Sequence, residues 1–276
     1  MSMTVRNLLA LVAAGAALVA VLATAASATS QAITPPPAIK SAGKIVFCTD
    51  ATYPPEEYFQ GSKIVGSDID IGTGVAKAMG VGAQFKNTGF DGIIAALLSK
   101  RCDAVISGMN DTPARRKQVD FVDYLKVGQS IMVKKGNPDH ISTLASLSGH
   151  TVSVESGTTN RDFLAATSAK LVKQGKSAIT IKTFPKDTDA FAALKAGRVD
   201  AYYADAPPVA YYAKTDKSVV VAGSPVNPFP IGIAIRKGDP LRAATQKAIA
   251  QLYATGSMKK IVAKWGMAKA VVLLMK

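Results

Sequence analysis

The chain has 276 residues, 48% of them hydrophobic, which is enough for one large or two ordinary globular domains. Its formal net charge of +14 comes from basic residues that are scattered among acidic ones and form no stripe interleaved with aromatic residues. The composition therefore argues against a nucleic-acid partner, and we interpret the charge as solvated surface.

The N-terminal segment has the pattern of a secretory signal peptide, assigned to residues 1–28. Arg6 precedes an apolar run over residues 8–26, and the small residues at 26–28 match a cleavage site. An uncleaved membrane anchor is the alternative, because the run is long enough to span a bilayer. The alanine content and the cleavage pattern favour removal after Ala28, so we expect a mature protein that is free in the periplasm.

Cys48 and Cys102 are the two cysteines of the chain, and an oxidising compartment makes a disulfide the first question. Cys48 falls near the C-terminal end of one predicted strand, and Cys102 falls just before the start of another. If these strands run parallel, the two positions are separated by several residues at about 3.3 Å each. That distance exceeds the ~7 Å limit between Cα atoms for a disulfide, so we expect two buried free thiols.

Repeated segments indicate two similar α/β units. Residues 96–108 and 193–205 share an Ala-Leu pair, an arginine and an Asp-Ala pair at the same offsets, and residues 43–50 similarly resemble residues 149–156. In each unit, near-continuous apolar strands alternate with helical patterns of apolar residues. This alternation predicts parallel sheets that are covered by helices on both faces.

Polar residues follow the predicted strands at the points where each strand ends. These ends are Asp50, Gly108, residues 155–159 and Asp205, two from each unit. In such sheets ligands bind beyond the carboxyl ends of the strands. Two lobes that face each other would therefore bring all four ends into one cleft.

The same pattern predicts the domain organisation, in which the chain crosses between the two lobes twice. The tail at residues 268–276 is too short to span a membrane and is expected to pack on the last helix. The predicted segments are the signal peptide (1–28), a Pro-rich linker (29–43), lobe I (44–125 and 232–276), lobe II (130–226) and the hinges (125–129 and 226–231).

A helix start follows the strand that ends the first repeat. Thr112 and Pro113 have the N-cap and first-turn pattern, so unpaired backbone N–H groups face the cleft and favour an anion. Arg115, in the first turn, would add a bidentate bond to a carboxylate. Alternatively, Arg115 pairs with a neighbouring aspartate such as Asp111 or Asp120.

Asp205 ends the corresponding strand of the second unit. A buried carboxylate is costly without a partner, so it is a natural partner for a ligand cation. The alternative is that Asp205 caps the helix that follows it. A carboxylate site in one lobe that faces an ammonium site in the other describes an α-amino acid.

The chain resembles the polar amino-acid solute-binding proteins of bacterial ABC importers, family 3, over nearly all of residues 44–266. The resemblance implies a type II periplasmic binding protein fold, in which two doubly wound α/β lobes are joined by a two-strand hinge with the ligand cleft between them. The segments that carry it are CTDATYPPEEYF, KIVGSDIDIG, FDGIIAALLSKRCDAVISGMNDTPARRKQVDF, VSVESGTT, GRVDAYYADAPPVAYY, IGIAIRKGD and IVAKWG.

The resemblance also implies how the ligand is held. Asp205 takes the amino group, Tyr53 and Phe90 sandwich the ligand, and Asp50 and Glu155 face its side chain. The residues implied to hold the ligand carboxylate are Gly108, Asn110, Arg115, Gly157, Thr158 and Thr159.

Three departures from the family pattern bear on the ligand. Asn110 stands where Thr or Ser is usual, Glu56 replaces a usual Phe, and Glu155 stands where Gln, Lys or an apolar residue is common. With Asp50, these acids would make an electronegative side-chain pocket, which favours a basic amino acid such as arginine, lysine or ornithine. Alternatively, Glu56 and Glu155 point to solvent at the rim of the cleft.

The implied function is capture of an amino acid by closure of the two lobes and its delivery to an ABC import permease in the inner membrane. We expect a monomer that uses no cofactor and no metal and is not an enzyme, since His140 and His150 lie in predicted loops away from the strand ends. One alternative is a dehydratase acting on prephenate-like acids, with Glu155 or Glu56 as the proton donor. Another is a periplasmic amino-acid sensor.

Overall fold

The computed structural model describes residues 32–275. The predicted signal peptide and its cleavage site after Ala28 lie outside the described residues. Within residues 32–275, none of the helices combines the length and the apolar character that a membrane span requires.

The described residues alternate between strands and helices, as the sequence predicts. The strands are β1 (Lys44–Thr49), β2 (Thr52–Tyr53), β3 (Glu57–Gln60), β4 (Lys63–Val65), β5 (Gly82–Asn87), β6 (Ala104–Val105), β7 (Val119–Lys134), β8 (Thr151–Glu155), β9 (Thr180–Phe184), β10 (Ala201–Asp205), β11 (Val219–Arg236) and β12 (Val271–Leu273). The helices are α1 (Pro37–Ala42), α2 (Ser67–Ala78), α3 (Ile93–Leu98), α4 (Pro113–Arg116), α5 (Thr159–Lys173), α6 (Asp187–Lys195), α7 (Ala206–Thr215), α8 (Leu241–Ala254) and α9 (Ser257–Lys264), with 3₁₀ turns at Phe90–Gly92 and Ala145–Leu147.

The main sheet is mixed and contains two parallel blocks. Its strand order is β5-β1-β6-β11-β7-β10-β8-β9, with β12 also paired to β7, while β2, β3 and β4 form a small separate sheet. β1 pairs in parallel with β5 and β6, and β8 pairs in parallel with β9 and β10. The predicted α/β class with parallel units is confirmed, and the two blocks are joined through the antiparallel pair β7 and β11.

β7 and β11 are long strands that run from one block into the other. Their pairing shifts register between Ala222 and Val226, between Val226 and Phe229, and between Ile231 and Gly232. The largest apolar core draws its buried residues from positions 39–127 and 231–267, whereas another draws them from positions 131–222. We use first lobe and second lobe for the parts of the chain around these cores; the boundaries at residues 125–129 and 226–231 stay a prediction.

Two terminal segments differ from the expectation. The predicted linker contains α1, whose Ile39 is buried against the first-lobe core; Pro37 at its first position suits a helix start. The C-terminal tail forms β12, which pairs antiparallel with β7 through Val271 and Val127. The tail thus adds a strand to β7, which its β-branched residues favour and which the sequence analysis did not predict. Val271 also packs on the first-lobe core, to which the last helix contributes Met258 and Val262.

Cys48 and Cys102 form a disulfide with their Cα atoms 5.7 Å apart, so the expectation of two free thiols is wrong. That expectation placed the two residues at opposite ends of full-length parallel strands. β6 has only two residues, and its pairing with β1 begins at Phe47 and Ala104. The short strand and the bend before it therefore bring Cys102 beside Cys48.

Replacing both cysteines with serine should lower the free energy of unfolding by about 4 kcal/mol, because a loop of this length constrains the unfolded chain by roughly that amount; the two cysteines are 54 residues apart. Urea unfolding of the variant and of the unaltered protein measures the difference. Reductant should destabilise the unaltered protein alone. Equal unfolding midpoints under oxidising conditions would contradict the expected role.

Candidate ligand-binding site

The carboxyl ends of strands from both lobes converge on one small cavity. Its volume is about 10 Å³, which is room for about one water molecule. An amino acid can therefore enter only after the two walls have separated. The residues that line the cavity are Asp50, Tyr53, Glu57, Phe90, Ser107, Gly108, Asn110, Glu155, Thr158, Asn160 and Asp205.

Most of the site residues predicted from sequence line this cavity. Arg115, Gly157 and Thr159 are not among the lining residues, and Arg115 and Thr159 bind Asn110, which is one of them. Thr159 donates through its hydroxyl to the Asn110 side chain at 2.5 Å, and Arg115 donates to the Asn110 carbonyl oxygen at 2.9 Å. Glu57, Ser107 and Asn160 also line the cavity and were not predicted. Asn160 directly follows the predicted residues Thr158 and Thr159 and lies in the first turn of the same helix. This position in the sequence could have indicated that Asn160 faces the site.

The Arg115 side chain is held by backbone groups of both lobes. Its guanidinium donates to the carbonyl oxygens of Asn110, at 2.9 Å, and of Gly157, at 3.1 Å, and lies 5.3 Å from the centre of the Phe90 ring. The Thr112 side chain accepts from the Arg115 N–H and caps the short helix α4. This arrangement holds a half-buried cation beside the cavity.

Asp111 and Asp120, the alternative partners for Arg115, bind other groups. Asp111 accepts instead from Arg116, whose Nε lies 2.6 Å from Asp111 Oδ1. Burial lowers the pKa of Arg115, and the negative charges of Asp205 and Asp162 oppose that effect. Arg115 and Asp205 are thus electrostatic partners across the cleft.

Asp205 stands at the N-cap position of α7, but its side chain makes no capping hydrogen bond. Its backbone N–H donates to the Tyr53 hydroxyl at 3.1 Å, and one carboxylate oxygen is buried without a partner. Burial raises the pKa of Asp205 to about 7, against the opposing effects of Asn160, Tyr53 and Arg115. A ligand ammonium group would supply the missing donor.

A chain of hydrogen bonds connects the acids of the first lobe. The Ser107 hydroxyl donates to Glu57 at 2.8 Å and accepts from the Asp50 N–H at 2.9 Å, while the Asp50 carboxylate accepts from the Phe90 N–H at 2.7 Å. The second carboxylate oxygen of Glu57 has no partner. Burial, followed by the charges of Asp68 and Glu56, raises the pKa of Glu57 well above its usual value.

Glu56 and Glu155 are both buried, so the alternative that they point to solvent is wrong. Glu155 lines the cavity with one unpartnered oxygen, whereas Glu56 is fully buried behind the wall with both oxygens unpartnered. Burial raises the pKa of both groups well above the usual value for Glu, and neighbouring carboxylates raise it further; for Glu155 these are chiefly Asp187 and Asp50. The cavity therefore carries an excess of buried acid.

A further set of acidic and imidazole groups lies on the surface, away from this cavity. Asp139, His150 and Asp200 have potential ligand atoms within 4.8 Å of one another, and His150 Nδ1 lies 3.5 Å from Asp200. Asp139 is exposed and the other two are half-buried. This surface group is separate from the strand ends that form the candidate site.

Comparison with known proteins gives consistent matches over most of the chain. The model of the family described as bacterial extracellular solute-binding proteins, family 3, matches residues 45–268. Two relatives come from Escherichia coli (strain K12), and each is 32% identical to this chain over 232 residues that cover 82% of it. The match covers 84% of the L-cystine-binding protein TcyJ. It covers 91% of the ABC transporter arginine-binding protein 1. The crystal structure of the ancestral amino acid-binding protein AncCDT-1, a precursor of cyclohexadienyl dehydratase, superposes with a TM-score of 0.75 at 37% identity, covering 83% of this chain and 97% of that one.

Gly157 of the second lobe lies against Asp91 of the first, and its replacement by alanine should favour a more open arrangement. A Cβ at this position would lie 2.7 Å from Asp91 Oδ1 and 2.9 Å from its Cα, with φ of +72°. Gly175→Ala is the matched control, because Gly175 has a similar φ of +75° but nothing within 4 Å of its added Cβ.

Small-angle X-ray scattering of the two variants and the unaltered protein tests this expectation. Gly157→Ala should have the larger radius of gyration, and Gly175→Ala should match the unaltered protein. Identical scattering for all three would show that the contact with Asp91 does not limit closure.

Proposed function

The chain belongs to the bacterial extracellular solute-binding proteins of family 3, and we propose that its cleft binds a basic L-α-amino acid through the residues described above. It is an amino-acid-binding protein of an ABC importer and acts outside the cytoplasm, as its relatives do. The proposal of a basic ligand rests on Glu155, whose buried carboxylate lines the cavity and has one oxygen without a hydrogen-bond partner.

The ligand carboxylate binds at the start of α4. Arg115 offers its guanidinium there, and the first turn of α4 adds a favourable local dipole, although a helix this short contributes little by itself. Asn110 and Thr158 line the same cavity. When a ligand carboxylate enters, it can replace the backbone carbonyl oxygens that Arg115 contacts in the closed form.

The ligand ammonium group binds to Asp205. That carboxylate is 2% exposed and has an oxygen with no partner, and a buried acid in this state gains from a charged donor. Asn160 and Tyr53 hold the side chain in place. Arg115 and Asp205 thus select the two ends of a zwitterion.

The ligand side chain faces Asp50 and Glu155, which come from different lobes. Because the pKa of each is raised mainly by burial, a neutral side chain would leave these acids either unpaired or protonated. A guanidinium or ammonium group would pair with them. This supports arginine, lysine or ornithine over a neutral amino acid.

A dehydratase is the second candidate, because the raised pKa of Glu155 is also suitable for a general acid. One structural neighbour is an amino acid-binding protein described as a precursor of such an enzyme. Incubation of the purified protein with prephenate distinguishes the two functions, since a binding protein forms no phenylpyruvate.

Transport would follow from closure of the lobes around the ligand. We infer that the closed form of a monomer is recognised by a permease of the inner membrane, and that residues 1–28 direct export and are removed after Ala28. A periplasmic sensor would use the same closed form. Uptake of radiolabelled ligand by cells with and without the gene separates transport from sensing.

Isothermal titration with a panel of amino acids at pH 7.5 should give the tightest binding for arginine, lysine or ornithine, with cystine, histidine and glutamine weaker. Glu155→Gln should weaken binding of the preferred basic ligand by about 10- to 100-fold, since a charged hydrogen bond contributes roughly 1.5–3 kcal/mol. Binding of neutral amino acids alone would contradict the basic assignment.

Arg115→Ala should weaken binding of the preferred amino acid by about 30- to 700-fold, because loss of one partner of a buried charge pair costs roughly 2–4 kcal/mol. Lys117→Ala is the control, since Lys117 is an exposed cation near the same short helix. Titration calorimetry measures both variants, and circular dichroism checks their folding. Unchanged affinity in a folded Arg115→Ala variant would refute the carboxylate site.

A further inference from the structure

A second buried acid of the second lobe, Asp187, lies next to the cavity without lining it. Asp187 is the first residue of α6 and is 1% exposed. Its carboxylate accepts from the hydroxyl groups of Tyr202, at 2.5 Å, and Tyr212, at 3.3 Å. Its backbone N–H donates to the Thr52 hydroxyl of the first lobe at 3.3 Å. Asp187 is therefore fixed in place at the junction of the two lobes.

The surroundings of Asp187 are rich in acids. Two phenol hydroxyls and the start of a helix offset part of the cost of burying its charge. The titratable groups that act on it or respond to it are Tyr202, Tyr212, Tyr53, Asp50, Glu56, Glu155 and Asp205. Two cations act on members of this set, Lys186 on Asp50 and Arg115 on Asp205. The acids outnumber these cations, so each further negative charge at this place is costly.

Glu155 is the cavity residue that Asp187 affects most directly. The Asp187 backbone N–H donates to the Glu155 carboxylate, so the two residues are in direct contact. This hydrogen bond lowers the pKa of Glu155, whereas the Asp187 carboxylate raises it more than any other neighbouring charge does, after burial itself. Burial likewise raises the pKa of Asp187 to about 7. Two buried carboxylates that interact in this way titrate as a pair, and the first proton is bound more tightly than for an isolated acid.

We propose that Asp187 is a positioning residue that sets the charge preference of the cleft by acting through Glu155, and that this pair exchanges one proton for the cationic group of the ligand side chain. The inference rests on the proposed function, since it requires a basic ligand. In the absence of a cation the pair holds a proton. When a guanidinium or ammonium group reaches Glu155, the proton leaves to solvent and the net charge of the site is unchanged.

The exchange has a defined dependence on pH. Because the free pair holds a proton that the complex with a cation has lost, the affinity for a basic ligand falls as pH decreases below about 7, by up to about tenfold per pH unit. A neutral side chain can bind while the pair stays protonated and shows no such loss. Asp205, whose pKa is also raised to about 7, adds its own dependence, but it acts equally on every α-ammonium group.

L-arginine and L-citrulline isolate the contribution of the pair. They have the same α-amino and α-carboxylate groups and nearly the same shape, but only arginine has a charged side chain. Titration calorimetry in two buffers of different ionisation enthalpy gives the number of protons released by each ligand. We expect about one more proton for arginine than for citrulline, and a ratio of their affinities that falls by up to about tenfold per pH unit below pH 7.

Asp187→Asn removes the charge but keeps an oxygen that can accept from Tyr202, and it should abolish the extra proton. Asp189→Asn is the matched control, because Asp189 lies in the same first turn of α6 but is exposed. That control should keep the extra proton. Glu155→Gln provides a second variant that should also lose it, which keeps the test valid if Asp187→Asn does not fold.

The possible outcomes separate this inference from the function on which it rests. Failure of the unaltered protein to bind arginine would overturn the basic ligand and the inference together. Binding of arginine with the same proton release as citrulline would overturn the inference alone. Persistence of the extra proton in folded Asp187→Asn would also overturn it, since the pair would then not be the source.

Discussion

The half-buried guanidinium of Arg115 and the buried carboxylate of Asp205 belong to opposite sides of the cleft, and the rest of the site is arranged around this pair. Arg115 is held by one carbonyl oxygen from each lobe, and Asp205 is held by Asn160 and Tyr53. Burying single charges is costly unless each has a partner. A zwitterion would supply both partners at once, and for this reason we propose that these two residues select an α-amino acid whatever its side chain.

Polar contacts at the ends of strands and one aromatic ring join the two sides of the cleft. Thr159 binds Asn110, and Tyr53 accepts from the Asp205 N–H, while the Tyr53 ring packs with buried residues of the second lobe such as Phe191 and Tyr212. Hydrogen bonds of this kind contribute roughly 1 kcal/mol each. Opening also withdraws the Tyr53 ring from this cluster, whereas the two cores described above share no residue. The register shifts of β11 against β7 lie between the cores and can take up the change in backbone angle.

The sequence predicted the strand ends well, because parallel strands bring their carboxyl ends to one edge of a sheet whatever the details of packing. It did not predict the disulfide, since the length of β6 depends on tertiary pairing that a local pattern does not reveal. Asp187 was missed for a similar reason. It stands at the start of a helix like any solvated aspartate, and only the tyrosines of β10 and α7 make it a buried group.

Under the proposed function, the distribution of acids between the two lobes explains why a positively charged side chain is preferred. Asp50 belongs to the first lobe and Glu155 to the second, and the charge of Asp50 raises the pKa of Glu155 while the lobes are together. The repulsion is therefore a cost of the closed state and not of the open one. A ligand can shift the equilibrium only by the difference between its free energies of binding to the two states. A positive side chain removes a cost that is specific to the closed state, so its charge favours closure as well as contact, whereas a neutral side chain of equal shape leaves that cost in place.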